Sequence, residues 1–236
     1  MSQVVTTLSQ GTKRSMDQPF RGPAKKRRTT KKKKSLWTRV PRSPFPDRAI
    51  TKLKYVDTIS LNATSLIDAR YFYRCNSLFD PDFTGTGHQP MGFDQYAALY
   101  NHYHVHSAYI ECIFSGPDNN GNSAHEGHIC AITLGNDTAD ARNLESLLED
   151  SSTVKMVIHG NGNNVGKLTL GYNEKKAFPV DRLGDTHASV SSSPSEIMCW
   201  EIVQGPFPGT DPAAINVLVT ITFLAEFYER KDLNTS

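Results

Sequence analysis

The sequence has no apolar run that is long enough to cross a lipid bilayer. Its longest apolar stretch, residues 213–225, has 13 residues and includes three polar ones, whereas a transmembrane helix needs about 20 apolar residues. Residues 1–20 lack the apolar core of a secretory signal, so we expect none. The sequence therefore predicts a soluble protein without membrane insertion.

Paired cysteines and the common catalytic motifs are also missing. The four cysteines are scattered, and the sequence contains no Cys-x-x-Cys pair, no phosphate-cradling glycine loop and no nucleophile elbow. Each cysteine lies in an apolar run, which favours free thiols in a reducing compartment. We therefore predict that the protein is not an enzyme and has no cofactor. The cysteines are Cys75, Cys112, Cys130 and Cys199.

The charge is distributed very unevenly along the chain. The first 54 residues hold 16 of the 26 Lys and Arg residues and two acidic residues, a net charge of +14. The other 182 residues carry a net charge of −12, so the overall charge of +2 hides a polarised molecule. Charge separated in this way indicates a basic arm that binds a polyanion and an acidic body with another role.

Composition divides the chain into two parts. Residues 1–34 are polar and basic, with too little apolar surface to fold alone, and we expect them to be disordered. Residues 35–48 contain three prolines and predict an extended linker. The predicted domains are therefore a nucleic-acid-binding arm and linker, 1–48, and one folded domain, 49–236.

The folded part shows the alternation typical of β-strands, interrupted by Gly-, Pro- and Ser-rich loops. Two short loop helices are predicted, capped by Asp94 and Asp140. This pattern predicts an all-β fold, a single eight-stranded antiparallel jelly-roll sandwich. The predicted strands are 52–61, 70–76, 103–115, 127–135, 153–159, 165–172, 196–204 and 214–229.

The basic arm is the candidate nucleic-acid interface. Residues 25–34 place eight cations within ten positions, a charge density comparable to that of a nucleic-acid strand. The arm has no folded element that could read base edges, so we expect sequence-independent binding, with Trp37 stacking on unpaired bases. A merely solvated tail, or one folded back on the acidic body, is the alternative. The candidate residues are Lys13, Arg14, Arg21, Lys25, Lys26, Arg27, Arg28, Lys31, Lys32, Lys33, Lys34, Trp37, Arg39 and Arg42.

Some of the same residues also have the spacing of a bipartite nuclear-localisation signal. Two basic residues are followed by ten others and then by four more basic residues. The pattern predicts recognition by a nuclear import receptor and is compatible with nucleic-acid binding. The residues are Lys13, Arg14, Lys25, Lys26, Arg27 and Arg28.

A histidine-rich strand supports an enzymatic alternative. His102, His104 and His106 alternate, and with Glu111 downstream they are similar to the first motif of cupin metalloenzymes. However, no second motif follows, and Glu111 has the opposite strand parity, so without a bulge it points to the other face. We therefore predict histidines at the edge of the core and no metal site. The predicted face continues as Ala108, Ile110, Cys112 and Phe114.

Three segments carry a resemblance to a known family: residues 76–81, residues 84–96, which include GHQPMGFDQY at 87–96, and residues 100–105. They resemble the capsid proteins of circovirus-like, circular Rep-encoding single-stranded DNA (CRESS-DNA) viruses, which are similar in fold to the satellite tobacco necrosis virus coat protein. The resemblance implies a jelly-roll capsid subunit that closes into the simplest icosahedral (T=1) shell of about 60 copies. It further implies a packaged single-stranded DNA genome, with the protein in the virion and, during assembly, in the host nucleus.

The same resemblance implies a structural role for GHQPMGFDQY. Gly87 and Gly92 would permit unusual turns, Pro90 would stiffen the loop, and Asp94 would cap the following helix. A host attachment receptor is not identified, but loops 116–126 and 184–195 are candidates for it by exposure. Three alternatives stay open: a satellite-like single-stranded RNA capsid, a cupin-like metal-binding enzyme and a monomeric nuclear DNA-binding protein.

Overall fold

The computed structural model describes residues 45–116, 127–136, 142–159, 165–178 and 184–232. All of them belong to one unit, Ser43–Ser236. The predicted disordered arm and the predicted boundary at residue 48 concern residues that lie largely outside this range, so both stay predictions.

The described residues form nine strands and three short helices. The strands are β1 (Arg48–Leu61), β2 (Ala69–Arg74), β3 (Tyr100–Ser115), β4 (Gly127–Gly135), β5 (Val154–His159), β6 (Val165–Asn173), β7 (His187–Ser189), β8 (Cys199–Pro206) and β9 (Ile215–Arg230). The helices are α1 (Phe93–Leu99), α2 (Leu144–Glu149) and α3 (Glu174–Ala177).

The strands build two antiparallel sheets. The first sheet has the order β1-β9-β3-β6, with β7 also paired to β3, and the second has the order β2-β8-β4-β5. With β7 set aside, the first of eight strands pairs with the last, the second with the seventh, the third with the sixth and the fourth with the fifth. A long hairpin wrapped on itself in this way is a jelly roll. The predicted fold class is confirmed.

Strict alternation of apolar and polar residues builds the core between the sheets. In β1, Leu53 and Tyr55 are buried, whereas Lys52 and Lys54 point to solvent. In β9 every second residue from Ile215 to Phe227 is buried. Each such Val, Ile, Leu or Phe side chain contributes about 1.5–3 kcal/mol by leaving water. The largest fully buried core side chains are Trp200, Tyr55, Tyr73, Tyr100, Tyr103, Tyr172, Phe93, Phe114, Phe223 and Phe227.

All eight predicted strands are present within a few residues, and the structure adds two elements. The three-residue strand β7 lies in segment 184–195, which we interpreted as a loop, and the four-residue helix α3 lies in residues to which we assigned no element. Both are too short to leave a period in the sequence, since a strand of three residues shows a single alternation. β7 pairs with residues 102–104 of β3, beyond the part of that strand that pairs with β6.

Both predicted helix caps are wrong. Helix α1 is preceded by Gly92 in the left-handed conformation, with φ 89°, and no side chain caps it. Asp94 instead lies in its first turn, where a negative charge is favourable. Helix α2 is capped by Asn143, whose side chain accepts a hydrogen bond from the Ser146 N–H, whereas Asp140 lies outside the described residues.

The four cysteines are free and buried, as predicted. Burial raises the pKa of Cys130 to about 12 and that of Cys199 to about 11. Thiols with such pKa values stay protonated and behave as small apolar side chains. Among the described helices, none is long and apolar enough to cross a membrane.

Candidate functional site: the outer face of the first sheet

The predicted nucleic-acid-binding and nuclear-localisation residues all lie in residues 13–42, outside the described residues. The structure therefore tests neither prediction. It does describe the first residues after the arm, where the chain joins the jelly roll. These residues lie beside the outer face of the first sheet.

Residues 45–48 are held at the corner where β9 ends and β3 begins. The Tyr100 hydroxyl donates to the Pro46 carbonyl at 2.9 Å, and the Arg230 guanidinium donates to the Phe45 carbonyl at 3.2 Å. Arg230 also lies 3.5 Å from the Asp47 carboxylate. Residues 45–47, the described end of the linker, are therefore fixed to the body before β1 begins.

From this corner the basic character of the arm continues onto the outer face of β1. Arg48, Lys52 and Lys54 share the outward-facing parity of the strand and are exposed. On the other side of β9 from Lys54, Tyr109 pairs with the same residue, Thr222, and its ring is partly exposed. This outer face thus combines cations with an aromatic ring, as surfaces that contact unpaired nucleic acid do.

A β-bulge in β3 overturns the predicted placement of the histidines. His104 pairs with Glu226 and Val105 with Ala225, but Ser107 follows as the partner of Leu224, so His106 is an extra residue. The bulge inverts the parity of the strand. Consequently His104 lies on the outer face, whereas Ala108, Ile110, Cys112 and Phe114 lie in the core, and the predicted shared face is wrong.

The bulge also brings Glu111 to the outer face, on the same side of the sheet as His104, contrary to its predicted parity. Glu111 is nevertheless engaged elsewhere, because the Lys167 ammonium lies 2.6 Å from its carboxylate. The candidate metal-binding groups of the described residues contain His104 and His106 but not Glu111. The structure therefore does not assemble the ligand set of the cupin hypothesis.

A cluster of imidazoles and carboxylates covers this part of the outer face, and we call it the histidine cluster. His104 Nε2 lies 2.5 Å from Glu174 Oε1, and the Thr186 hydroxyl donates to the same oxygen. The His187 ring stacks on the His104 ring with centroids 4.1 Å apart and planes 11° apart. The cluster joins β3, α3 and β7.

The second half of the histidine cluster is more exposed. His106 Nε2 lies 3.0 Å from one oxygen of Glu226, and Arg48 donates to the other oxygen at 3.1 Å. His102 lies 2.7 Å from the Glu229 carboxylate, near the end of β9. The charge of Glu226 is thus shared between an arginine and a histidine.

Sequence reasoning identified the three histidines of β3 but missed Glu174, His187 and Glu226. These residues are 70 to 120 positions away from their partners in β3, so no local spacing connects them. The segment 184–195, which we interpreted as an outward loop, carries β7 and has Thr186 and Ala188 buried. Residues 117–126 of the other candidate receptor loop lie outside the described residues.

The GHQPMGFDQY segment has contacts that fit a structural role. A Cβ atom on Gly87 would lie 2.6 Å from Asp82 Cβ and 2.8 Å from the Tyr55 hydroxyl, so only glycine fits there. Gly92 adopts a positive φ, which confirms the predicted turn at that position. Gly87 is therefore required for a close approach rather than for a turn.

Comparison with known proteins gives structural neighbours only. No protein-family model matches the chain, and neither does any curated protein. Desmodium yellow mottle tymovirus is 13% identical, with a TM-score of 0.44, over 84% of this chain and 98% of that one. The 60-mer capsid protein of BFDV is 10% identical, with a TM-score of 0.48, over 81% and 100%.

A third neighbour is the Macrobrachium rosenbergii nodavirus, 12% identical with a TM-score of 0.47, over 95% of this chain and 63% of that one. All three neighbours are viral, and the second is by its description a capsid protein. The likeness is confined to the fold, and it identifies no function for this chain.

Proposed function

We propose that the chain is a viral capsid protein that self-assembles into a closed icosahedral shell and packages a single-stranded genome with its basic arm. The observation that carries the proposal is the division of charge, +14 in the first 54 residues against −12 in the rest. The compact jelly roll is suited to forming the wall of a shell, and the long polycationic extension is suited to neutralising the phosphates of a genome.

The arm acts by charge density rather than by shape. Its run of eight cations in residues 25–34 neutralises phosphates and releases their counterions. Six of these eight are lysines, which bind phosphates as point charges and lack the bidentate fork of arginine. Such contacts are blind to base sequence, which suits packaging of a whole genome.

The outer face of β1 extends this interface onto the body. Lys52 and Lys54 follow the arm directly and are exposed, and Tyr109 is partly exposed on the same face across β9. Nucleic acid held by the arm would therefore meet further cations and an aromatic platform at the point where the chain becomes ordered.

Subunit contacts are proposed to involve exposed apolar side chains outside this face. Leu66 is 91% and Met91 is 87% exposed, and Ile67 lies next to Leu66. Apolar groups exposed in this way are typical of surfaces that become buried on association. Because residues 55–236 of each subunit carry a net charge of −12, neighbouring bodies repel each other, so we expect assembly to depend on nucleic acid and salt.

The finer assignments rest on the resemblance and on the arm. We propose single-stranded DNA as cargo, a T=1 shell of about 60 copies, and import into the host nucleus by the bipartite signal. Single-stranded RNA is the alternative cargo, because a polycationic arm does not distinguish the two sugars. Treating extracted particles with DNase and with RNase distinguishes the two.

Removal of residues 1–44 tests the proposal. The intact chain is expected to give megadalton particles that contain nucleic acid, whereas the truncated chain keeps the β-sheet circular-dichroism spectrum but loses the nucleic acid. Negative-stain imaging, sedimentation and the absorbance ratio at 260 and 280 nm measure these outcomes.

A matched control carries the same arm residues in shuffled order and is expected to package normally, because charge and not sequence binds the phosphates. Equal nucleic-acid content with and without the arm would refute the role of the arm. If the intact chain stays a small monomer under all salt conditions and with oligonucleotide, the capsid assignment is wrong and the monomeric nuclear DNA-binding protein is favoured.

A further inference from the structure

Three separate segments place metal-binding side chains at one point of the outer sheet face. His104 comes from β3, Glu174 from the start of α3 and His187 from β7. One ligand atom from each of the three lies within 4.8 Å of the ligand atoms of the other two. For all three to reach a common ion, the His104 and His187 rings must turn about their side-chain bonds, because their planes are nearly parallel and each nitrogen lone pair lies in its ring plane.

The donor set has the chemistry of a transition-metal site. Two neutral imidazoles and one carboxylate hold Zn²⁺ in many proteins, at about 2.0–2.2 Å, and leave a fourth position for water. The centroids of the two rings are 4.1 Å apart, and the Glu174 carboxylate lies 2.5 Å from His104 Nε2, so all three donor groups are close together before any ring turns. Hard cations such as Mg²⁺ and Ca²⁺ prefer oxygen ligands, so imidazole favours zinc and its neighbours.

Outer hydrogen-bond partners of the kind found around metal ligands are also in place. The Tyr228 hydroxyl lies 2.8 Å from His187 Nδ1, which leaves Nε2 of that ring available for an ion. The Thr186 hydroxyl donates to Glu174 Oε1. Such partners fix the tautomer of a ligating histidine and the orientation of a ligating carboxylate.

The charge of the site favours a cation. Glu174 is almost completely buried, and within the described residues its only ion-pair partner is His104. A buried carboxylate is costly without a compensating charge. We propose that His104, Glu174 and His187 bind one Zn²⁺ ion, which links β3, α3 and β7.

The neighbouring group, His104 with His106 and Glu226, is the less suitable site. Glu226 already accepts a hydrogen bond from Arg48 at 3.1 Å, and that cation would repel a metal ion. The proposed site does not depend on the capsid assignment, because it concerns only the internal cross-linking of the described body.

The test is metal binding by the full chain after treatment with a chelator. Co²⁺ is titrated as a spectroscopic probe of the coordination sphere, and Zn²⁺ affinity is measured by competition. The wild type is expected to bind one ion per chain with imidazole coordination. Loss of an outer hydrogen-bond partner weakens metal binding by roughly 10–100-fold, and Tyr228→Phe is expected to lose Zn²⁺ affinity within that range. His187→Ala removes a ligand and is expected to lose more.

His106→Ala is the matched control, since it removes a histidine of the same cluster that the proposed site does not use. It is expected to leave the Zn²⁺ affinity unchanged. Equal weakening by His106→Ala and His187→Ala, or the absence of stoichiometric binding by the wild type, overturns the proposal.

His187 is only half-buried, so its variant is expected to fold, and circular dichroism checks this. A second readout is the thermal midpoint with and without Zn²⁺. An ion that binds only the folded state raises the midpoint of the wild type. If Zn²⁺ raised the thermal midpoint of His187→Ala by the same amount, the proposed site would be contradicted. This comparison holds even if the variant is less stable than the wild type without the ion.

Discussion

At the residue scale, His88 of the GHQPMGFDQY segment binds two backbone carbonyls of its own chain. Its Nδ1 lies 2.8 Å from the Gln89 carbonyl and its Nε2 lies 2.9 Å from the Val56 carbonyl. Carbonyls only accept hydrogen bonds, so both ring nitrogens donate, which requires the charged imidazolium. The Gln89 and Val56 carbonyls accordingly raise the pKa of His88.

This geometry predicts a pH-dependent contribution to stability. Because the pKa of His88 is raised on folding, its contribution is fully present below the unfolded pKa of about 6.5 and is lost as the pH rises through the folded pKa. His88→Gln is therefore expected to be less stable than the wild type at pH 5, and the difference should shrink towards pH 9. Urea denaturation at several pH values measures it, and a difference that is constant with pH would contradict the mechanism.

At the element scale, helix α2 depends on tertiary contacts. Its six residues are too few to form a stable helix alone. Leu147 is fully buried against Ala131 of β4 and Val203 of β8, in a small cluster on the outer face of the second sheet. The helix thus covers an apolar patch that would otherwise face water.

Leu147→Ala is expected to lower the free energy of unfolding by about 2–5 kcal/mol, because it removes buried methyl groups and leaves a cavity. The neighbouring Glu145→Ala, on the exposed side of α2, should change it by less than about 0.5 kcal/mol. The denaturation midpoints of the two variants measure the difference. Similar midpoints would mean that α2 does not contribute to the stability of the body.

The strands were predictable because alternation is a local signal, whereas the bulge in β3 was not. Eight strand positions follow from the two-residue period, but the extra residue at His106 is decided by the pairing of β3 with β9. Since one added residue exchanges the two faces of a strand, the predicted core-edge histidines became part of an outer-face cluster. The same limit applies to Glu174 and His187, which only the fold brings to His104.

At the scale of the whole molecule, the separation of charge predicts the salt dependence of nucleic-acid binding. Each phosphate neutralised on a single strand adds about 0.7 to the slope of log affinity against log salt. Replacement of Lys31–Lys34 by Gln is therefore expected to reduce the slope by up to about 3, equally for two oligonucleotides of unrelated sequence. Fluorescence anisotropy of the unassembled protein measures it.

Replacement of Thr29 and Thr30 by Val in the same segment is the matched control and is expected to leave the slope unchanged. If the four lysines could be removed without changing the slope, the arm would not be the phosphate-binding element. A slope that differs between the two oligonucleotides would point to base-specific contacts instead.

The sequence alone determined the sign and position of the charge, the free state of the cysteines and the jelly-roll class. These properties follow from composition and from short periods, which act between residues close together in the chain. The tertiary structure decided the face of the histidines, the partners of Glu174 and the close approach at Gly87. These features depend on contacts between separate segments of the chain, such as His104 with Glu174 and Gly87 with Tyr55, and the geometry of such contacts is fixed only when the strands pair and pack.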